Sequence, residues 1–326
     1  MKDSEDFPTS LVMTQSSKAR VTEMYEDKSP IGELVHLYVD GAFGRRELIE
    51  RVLKVTGSMA ATIAALGGYE ELNAQATPVP PGVRVSENDP DIQGRDVTFA
   101  GVTSSQFGYL VVPRRALVDP QPAVIVIHEN RGLTEHIRDV TRRVAKAGFV
   151  ALGVDLLSRQ GGTAQFTEAT QQTAAYNRTN QIERRADLIS ALDFLKRQDN
   201  VVIHDRIGVT GFCAGGANTW DLIVNVSEFA AAAPFYGAPP TIAEDVGRIN
   251  TPVLGLYAET DRTLTRNMQI SAGLLSQASK TYGLFVYEGV GHAFHNDTGA
   301  AYNATAAADA WARTIAHFDK WLRRSR

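Results

Sequence analysis

The chain's single cysteine stands in the stretch Arg206-Ile-Gly-Val-Thr-Gly-Phe-Cys-Ala-Gly-Gly216. An apolar run leads directly into Gly211-Phe212-Cys213-Ala214-Gly215, and a helix-compatible segment follows. This is the pattern of a strand-to-helix elbow, with Cys where Ser is the commoner nucleophile. Side chains two residues either side of the nucleophile would collide in so tight a turn, and glycine removes the collision. The thiol then sits at a helix N-terminus, where the dipole and free N–H groups stabilise a thiolate. The N–H of Ala214 is placed to hold an oxyanion. The bland alternative is a small buried Cys in a glycine-rich turn, which leaves the downstream residues described next without a role.

A nucleophile of this kind needs a base, and the base needs an acid to fix its tautomer. Behind an elbow, the chain order is nucleophile, acid, histidine. After the apolar run 253–257 comes Ala258-Glu259-Thr260-Asp261, and after 284–287 comes Glu288-Gly289-Val290-Gly291-His292. Both are loops at the C-terminal ends of strands, on the edge where Cys213 opens. His292 is preferred over His295 because Gly289 and Gly291 permit close approach to the thiol. Asp261 is preferred over Glu259 because it sits where the loop first turns over the sheet.

A third strand-end loop reads His128-Glu129-Asn130-Arg131-Gly132. Its position suits the second oxyanion donor, taken to be the N–H of Asn130. A carboxylate here, Glu129, would accept the thiol proton or hold the thiol in a resting pose; the bland alternative is a helix N-terminal acid or an ion pair with Arg131. A zinc-protease helix is excluded, because H-E-x-x-H requires His where this chain has Gly132. A lone Cys also excludes a disulfide or a Cys-based zinc site, and no cofactor or metal is expected.

The elements that would carry these loops alternate between strand and helix. Two early strands are expected at 97–102 and 107–112, joined as a hairpin. Strands follow at 123–127, 149–154, 206–210, 230–235, 253–257 and 284–287. Helices are expected at 137–147, closed by Gly148, and at 182–197, 214–226, 267–279 and 304–322. Such alternation implies a mostly parallel sheet with helices on both faces, whose chemistry gathers at the C-terminal strand ends. The stretch 156–179 is polar and irregular, the composition of a lid. Tyr176, Tyr236 and Phe294 are read as aromatic walls near the mouth.

The domain so described spans 91–326. Residues 1–90 read as a polar arm, one or two helices over 31–69, and a linker over 77–91 rich in Pro78, Pro80, Pro81 and Pro90. Leu48, Val52, Val55, Met59, Ile63 and Leu66 recur at helical spacing, as for a helix packed on a domain or at a homodimer interface. Arg45-Arg46 ahead of that segment, with Ala74-Gln75-Ala76 after it, mimics a twin-arginine export signal. Glu47, Glu50, Arg51 and Lys54 interrupt its apolar part, so a cytoplasmic protein is expected and a periplasmic one is the alternative. With 33 Lys and Arg against 37 Asp and Glu and no basic stripe, nucleic acid is not an expected partner. No apolar run reaches the roughly 18 residues of a membrane span.

Together HENRG, GFCAGG, AETD and GHAF resemble the dienelactone hydrolase (carboxymethylenebutenolidase) family over residues 95–324. The resemblance implies an α/β-hydrolase fold and a Cys–His–Asp triad carried by Cys213, His292 and Asp261. It implies that Glu129 binds the thiol until substrate displaces it, and that an enol-lactone is hydrolysed through a thioester. Members acting on dienelactone carry an Arg where this chain has Asn296. A second substrate-binding Arg is expected after the fourth strand, where Arg159 and Arg178 lie. The residues therefore predict an ester or lactone hydrolase acting on a small molecule. The alternative is a non-catalytic protein of the same fold that binds a ligand or partner.

Overall fold

The computed structural model describes residues 45–58 and 84–323, with Pro30, Ile31, Leu34, Ala61, Thr62 and Ala65. The polar arm, most of the Pro-rich stretch and the terminal Arg324-Ser325-Arg326 lie outside the described residues. So do Met59, Ile63 and Leu66 of the apolar period, and Ala74-Gln75-Ala76. The chain divides into two units, Met1–Pro78 and Val79–Arg326.

In the first unit, helix α1 spans Arg45–Thr56 and buries Leu48 and Val52. It stops at Gly57, whose φ of 74° takes the left-handed conformation that glycine tolerates. Ser58 restarts a turn by accepting from the N–H of Ala61 at 3.2 Å and of Thr62 at 2.9 Å. The apolar period that begins at Leu48 is thus interrupted by a glycine–serine pair.

The second unit is built on an eight-stranded sheet of order β1-β2-β4-β3-β5-β6-β7-β8. Strands β1 (Ile92–Ala100) and β2 (Ser105–Pro113) form the expected hairpin, and β2 also pairs antiparallel with β4. The remaining strands, β3 (Gln121–Ile127), β4 (Val150–Asp155), β5 (Val202–Phe212), β6 (Ala231–Phe235), β7 (Val253–Ala258) and β8 (Tyr282–Tyr287), run parallel. All six residues of β4 and of β7 are buried, as strands covered on both faces must be. One core joins Ile125, Leu152, Val209 and Trp220, the other Val124, Phe149, Phe235 and Phe318.

The helices follow the strands: α2 (Glu135–Lys146), α3 (Ala169–Tyr176), α4 (Gln181–Lys196), α5 (Ala214–Asn225), α6 (Ala243–Arg248), α7 (Arg262–Gln277) and α8 (Ala304–Leu322). Helix α2 ends at Gly148 with φ 94°, as its sequence implied. Helix α4 opens on a reciprocal capping box between Asn180 and Glu183. Residues 84 and 85 belong with this unit, their N–H groups both donating to the buried Asp139 carboxylate at 3.1 and 2.8 Å.

The stretch 156–179 is more ordered than its polarity suggested. It holds two short 3-10 turns and then α3. Asp155 pins its start, accepting from the N–H groups of Leu157 and Thr163 at 2.9 and 2.7 Å and from Thr163 Oγ1 at 2.8 Å.

Register brings the loops together. Ile127 pairs with Gly211, Phe212 with Phe235, Phe235 with Leu256, and Ala258 with Tyr287, so β3, β5, β6, β7 and β8 end on one edge. The elbow glycines are set by close approach. A Cβ on Gly211 would lie 2.2 Å from Gly215 O, and one on Gly215 2.4 Å from Ile127 O and 2.5 Å from His128 O. These atoms are backbone and cannot step aside. Gly215→Ala is therefore expected to destabilise the fold by about 2–3 kcal/mol, read as a lowered urea midpoint at unchanged slope.

Candidate active site

Cys213 sits between β5 and α5 with φ 55° and ψ −114°, a strained conformation for a residue with a side chain. The neighbouring strand holds it there: its N–H donates to Phe235 O at 3.1 Å. Strain of this kind persists where the surroundings over-determine it, and here it lifts the partly exposed thiol above the sheet edge. The first N–H groups of α5 lack intrahelical acceptors and surround the same point.

His292 comes from the loop after β8. Its Nδ1 lies 2.6 Å from Asp261 Oδ2, from the loop after β7. The other ring nitrogen faces Cys213, and a hydrogen bond to that residue is the main reason the His292 pKa rises to about 9. Burial opposes the rise, while the Cys213 charge and Asp261 reinforce it. His292 is therefore protonated at neutral pH.

The two loops are tied to each other. Thr260 donates to Val290 O through its N–H at 3.1 Å and its hydroxyl at 3.0 Å. Glu259, the rival acid, is occupied elsewhere, accepting from the N–H of Gly289 at 2.8 Å. His295, the rival base, is 2% exposed, stacked on Phe212 at 5.0 Å with Trp311 on another side. Burial holds its pKa well below the ordinary value, so it carries no charge near neutrality.

Asp297, next but one along, accepts from Arg84, Arg143 and His136 beneath the loop. Burial works against its charge, but these partners outweigh burial and hold it ionised. That network anchors the segment that carries His292.

Glu129 lies on the loop after β3. Its carboxylate accepts from Asn296 Nδ2 at 2.9 Å, while Asn296 Oδ1 accepts from Thr298 N and Oγ1 at 3.0 and 2.6 Å. Asn296 thus orients Glu129. Asn130, next along the loop, is partly exposed.

The aromatic residues need a correction. Phe294 is fully buried, packed on Tyr236 and Tyr287 at 5.4 and 5.0 Å, and forms no wall of an open mouth. The cause is Ala293, whose φ of 65° turns the chain inward directly after His292. Tyr236 is 1% exposed. Burial raises its pKa well above the ordinary value, and the charges of Glu129 and Cys213 add to this. Tyr176 accepts from Asn218 Nδ2 at 3.0 Å; burial raises its pKa as well, opposed by Arg184 and aided by Cys213.

Of the two arginines expected to bind an anionic substrate, Arg159 is committed to Asp187 through two bonds of 2.8 Å and to Thr103 at 2.6 Å. Arg178 is solvent-exposed. Among the described residues no group of three or more His, Cys, Asp or Glu converges as a metal would require, and no helix is long and apolar enough to cross a membrane.

Several contributors were not read from the sequence. Thr260 and Asn218 act through contacts between distant segments, which no local pattern signals. His128 was visible as the first polar residue after six buried positions of β3, but its partner lies on the loop after β4.

The model of the dienelactone hydrolase family matches residues 107–322. The chain is similar to a Synechocystis protein named "Putative carboxymethylenebutenolidase", 33% identical over 72% of this chain and 99% of that one. A Methylorubrum extorquens protein of the same name is 32% identical over 60% of this chain and 70% of its own length. Among solved structures, "Putative Dienelactone Hydrolase" from Klebsiella pneumoniae superposes with a TM-score of 0.64 at 28% identity, covering 71% of this chain and 99% of that one.

Proposed function

The chain belongs to the dienelactone hydrolase family, and from that premise we propose that it hydrolyses esters or lactones through a thioester formed on Cys213. The Cys213 thiolate attacks the carbonyl carbon, and the N–H groups of Ala214 and Asn130 hold the resulting oxyanion. The His292 imidazolium gives its proton to the departing alkoxide as the tetrahedral adduct collapses to the thioester. Neutral His292 then takes a proton from water, whose hydroxide attacks the thioester. Collapse of the second adduct expels the thiolate and releases the carboxylic acid. Asp261 fixes the His292 tautomer throughout. The observation that carries this reading is the 2.6 Å contact of Asp261 with His292, itself paired to a cysteine in an elbow.

The substrate is a small uncharged ester or lactone. Glu129 and Asn296 bring one negative charge and no positive charge to the cysteine, and Arg159 is spent on Asp187. Neutral lactones are thus turned over in preference to carboxylate-bearing ones. Glu129 acts by controlling the charge around the thiol, with Asn296 as its holder.

The experiment is the pH profile of kcat/KM for an alkyl ester beside a p-nitrophenyl ester. The His292 pKa is raised, so its proton is present below about 9 and lost above it. Alkyl ester turnover is expected to fall above that pH, because an alkoxide needs the proton to leave. The p-nitrophenyl ester, whose leaving group departs as a stable anion, is expected to hold its rate. Iodoacetamide is expected to abolish both activities, and turnover that survives alkylation of Cys213 would refute the reading.

A further inference from the structure

His128 follows the last residue of β3, is fully buried, and uses both ring nitrogens. Its Nε2 accepts from the N–H of Leu156, at the end of β4, at 2.9 Å. An acceptor at Nε2 in a neutral imidazole requires the proton on Nδ1, and Nδ1 faces the backbone carbonyl of Glu129. His128 therefore donates to Glu129 O in one defined tautomer. Burial, which lowers its pKa, keeps the ring neutral.

The consequence follows from the geometry of one peptide. The carbonyl of Glu129 and the N–H of Asn130 belong to the same trans unit and point in opposite directions. The sheet order is β4-β3-β5, and His128 reaches to the β4 side for Leu156. The carbonyl lies at Nδ1, across the ring from Leu156, so the imidazole bridges the two segments. Holding the carbonyl therefore also fixes the Asn130 N–H, on the loop after β3, whose neighbour β5 leads into Cys213. Close approach agrees, since a Cβ on Gly215 would lie 2.5 Å from His128 O, so the first turn of α5 abuts this loop.

We propose that His128 is a positioning residue for the oxyanion site: by holding the Glu129 carbonyl it aims the Asn130 N–H at the substrate oxygen beside Cys213. The inference rests on the thioester mechanism above. A released peptide could rotate and present a carbonyl in place of the donor, which repels an oxyanion.

Two substitutions separate the halves of the imidazole. His128→Asn keeps an N–H donor near the Nδ1 position and loses the Leu156 acceptor. His128→Gln reaches the Nε2 position and loses the donor to Glu129. The readouts are kcat and KM for an alkyl ester and the rate of Cys213 alkylation by iodoacetamide, a displacement that forms no oxyanion. His128→Gln is expected to lower kcat by on the order of 10²-fold with KM and alkylation near wild type. His128→Asn is expected to recover most of the kcat. Equal losses in both variants, alkylation falling in step with hydrolysis, or full activity in His128→Gln would each overturn the proposal. Wild-type turnover that survives Cys213 alkylation would instead remove the thioester reading itself, so the two failures are distinct.

Discussion

Cys213→Ala is expected to lower kcat/KM for alkyl esters by on the order of 10⁴-fold or more, leaving only what the oxyanion donors and binding contribute. The loss is this large because no other group can form the acyl intermediate. His292 and Asp261 keep their contact in the variant, but they then have only water to activate. The fold is expected to survive, because the bond that fixes residue 213 runs from its own backbone N–H to Phe235 O. Alanine carries a Cβ into the same φ of 55°, so the backbone strain is unchanged. An unchanged urea midpoint beside lost turnover would assign the effect to chemistry. Cys213→Ser is a finer instrument: a hydroxyl does not ionise beside an imidazolium, so the ion pair disappears while the shape stays. A serine enzyme of wild-type activity would show that the pair is not needed.

His292→Ala is expected to cost on the order of 10³- to 10⁴-fold in kcat/KM, and Asp261→Asn on the order of 10²-fold or more. In the proposed mechanism His292 both stabilises the thiolate and carries the proton, so its loss is expected to slow iodoacetamide alkylation at neutral pH as well. Asp261→Asn can leave the ring in place but no longer favours the Nδ1–H tautomer or the imidazolium. Asp261 is one of the causes of the raised His292 pKa, so the alkaline limb in this variant is expected below about 9. A His295→Gln control tests the rival base. It is expected to leave the pH profile unmoved, because His295 is buried and uncharged near neutrality.

Strands β4 and β7 were legible because they are apolar runs buried on both faces. Strand β5, by contrast, starts at Val202, ahead of its expected start, because His204-Asp205-Arg206 interrupts its apolar run. Helix α3 was not legible. Residues Ala169–Tyr176 carry no apolar stripe, and the segment is organised by Asp155 and by packing of Ala175 and Tyr176. Strand β1 begins at Ile92, ahead of its expected start, because the polar Gln93–Asp96 run is exposed on an edge and mimics a loop.

Within the site, Cys213, Asp261 and His292 were proposed from chain order and strand ends, and Asp261 Oδ2 lies 2.6 Å from His292 Nδ1. Phe294 was not: proximity to His292 in sequence says nothing of direction, and the positive φ of Ala293 sends the ring into the core. Glu129 was placed correctly on its loop, but its partner Asn296 comes from the far side of the chain.

The thioester on Cys213 is the claim on which the account turns, and acid-quenched mass spectrometry during turnover of a slowly deacylated ester tests it directly. The account predicts an acyl adduct on the peptide containing Cys213, formed at least as fast as steady-state turnover and lost in the Cys213→Ala protein. An adduct on another residue, or full turnover with Cys213 unmodified throughout, would contradict it.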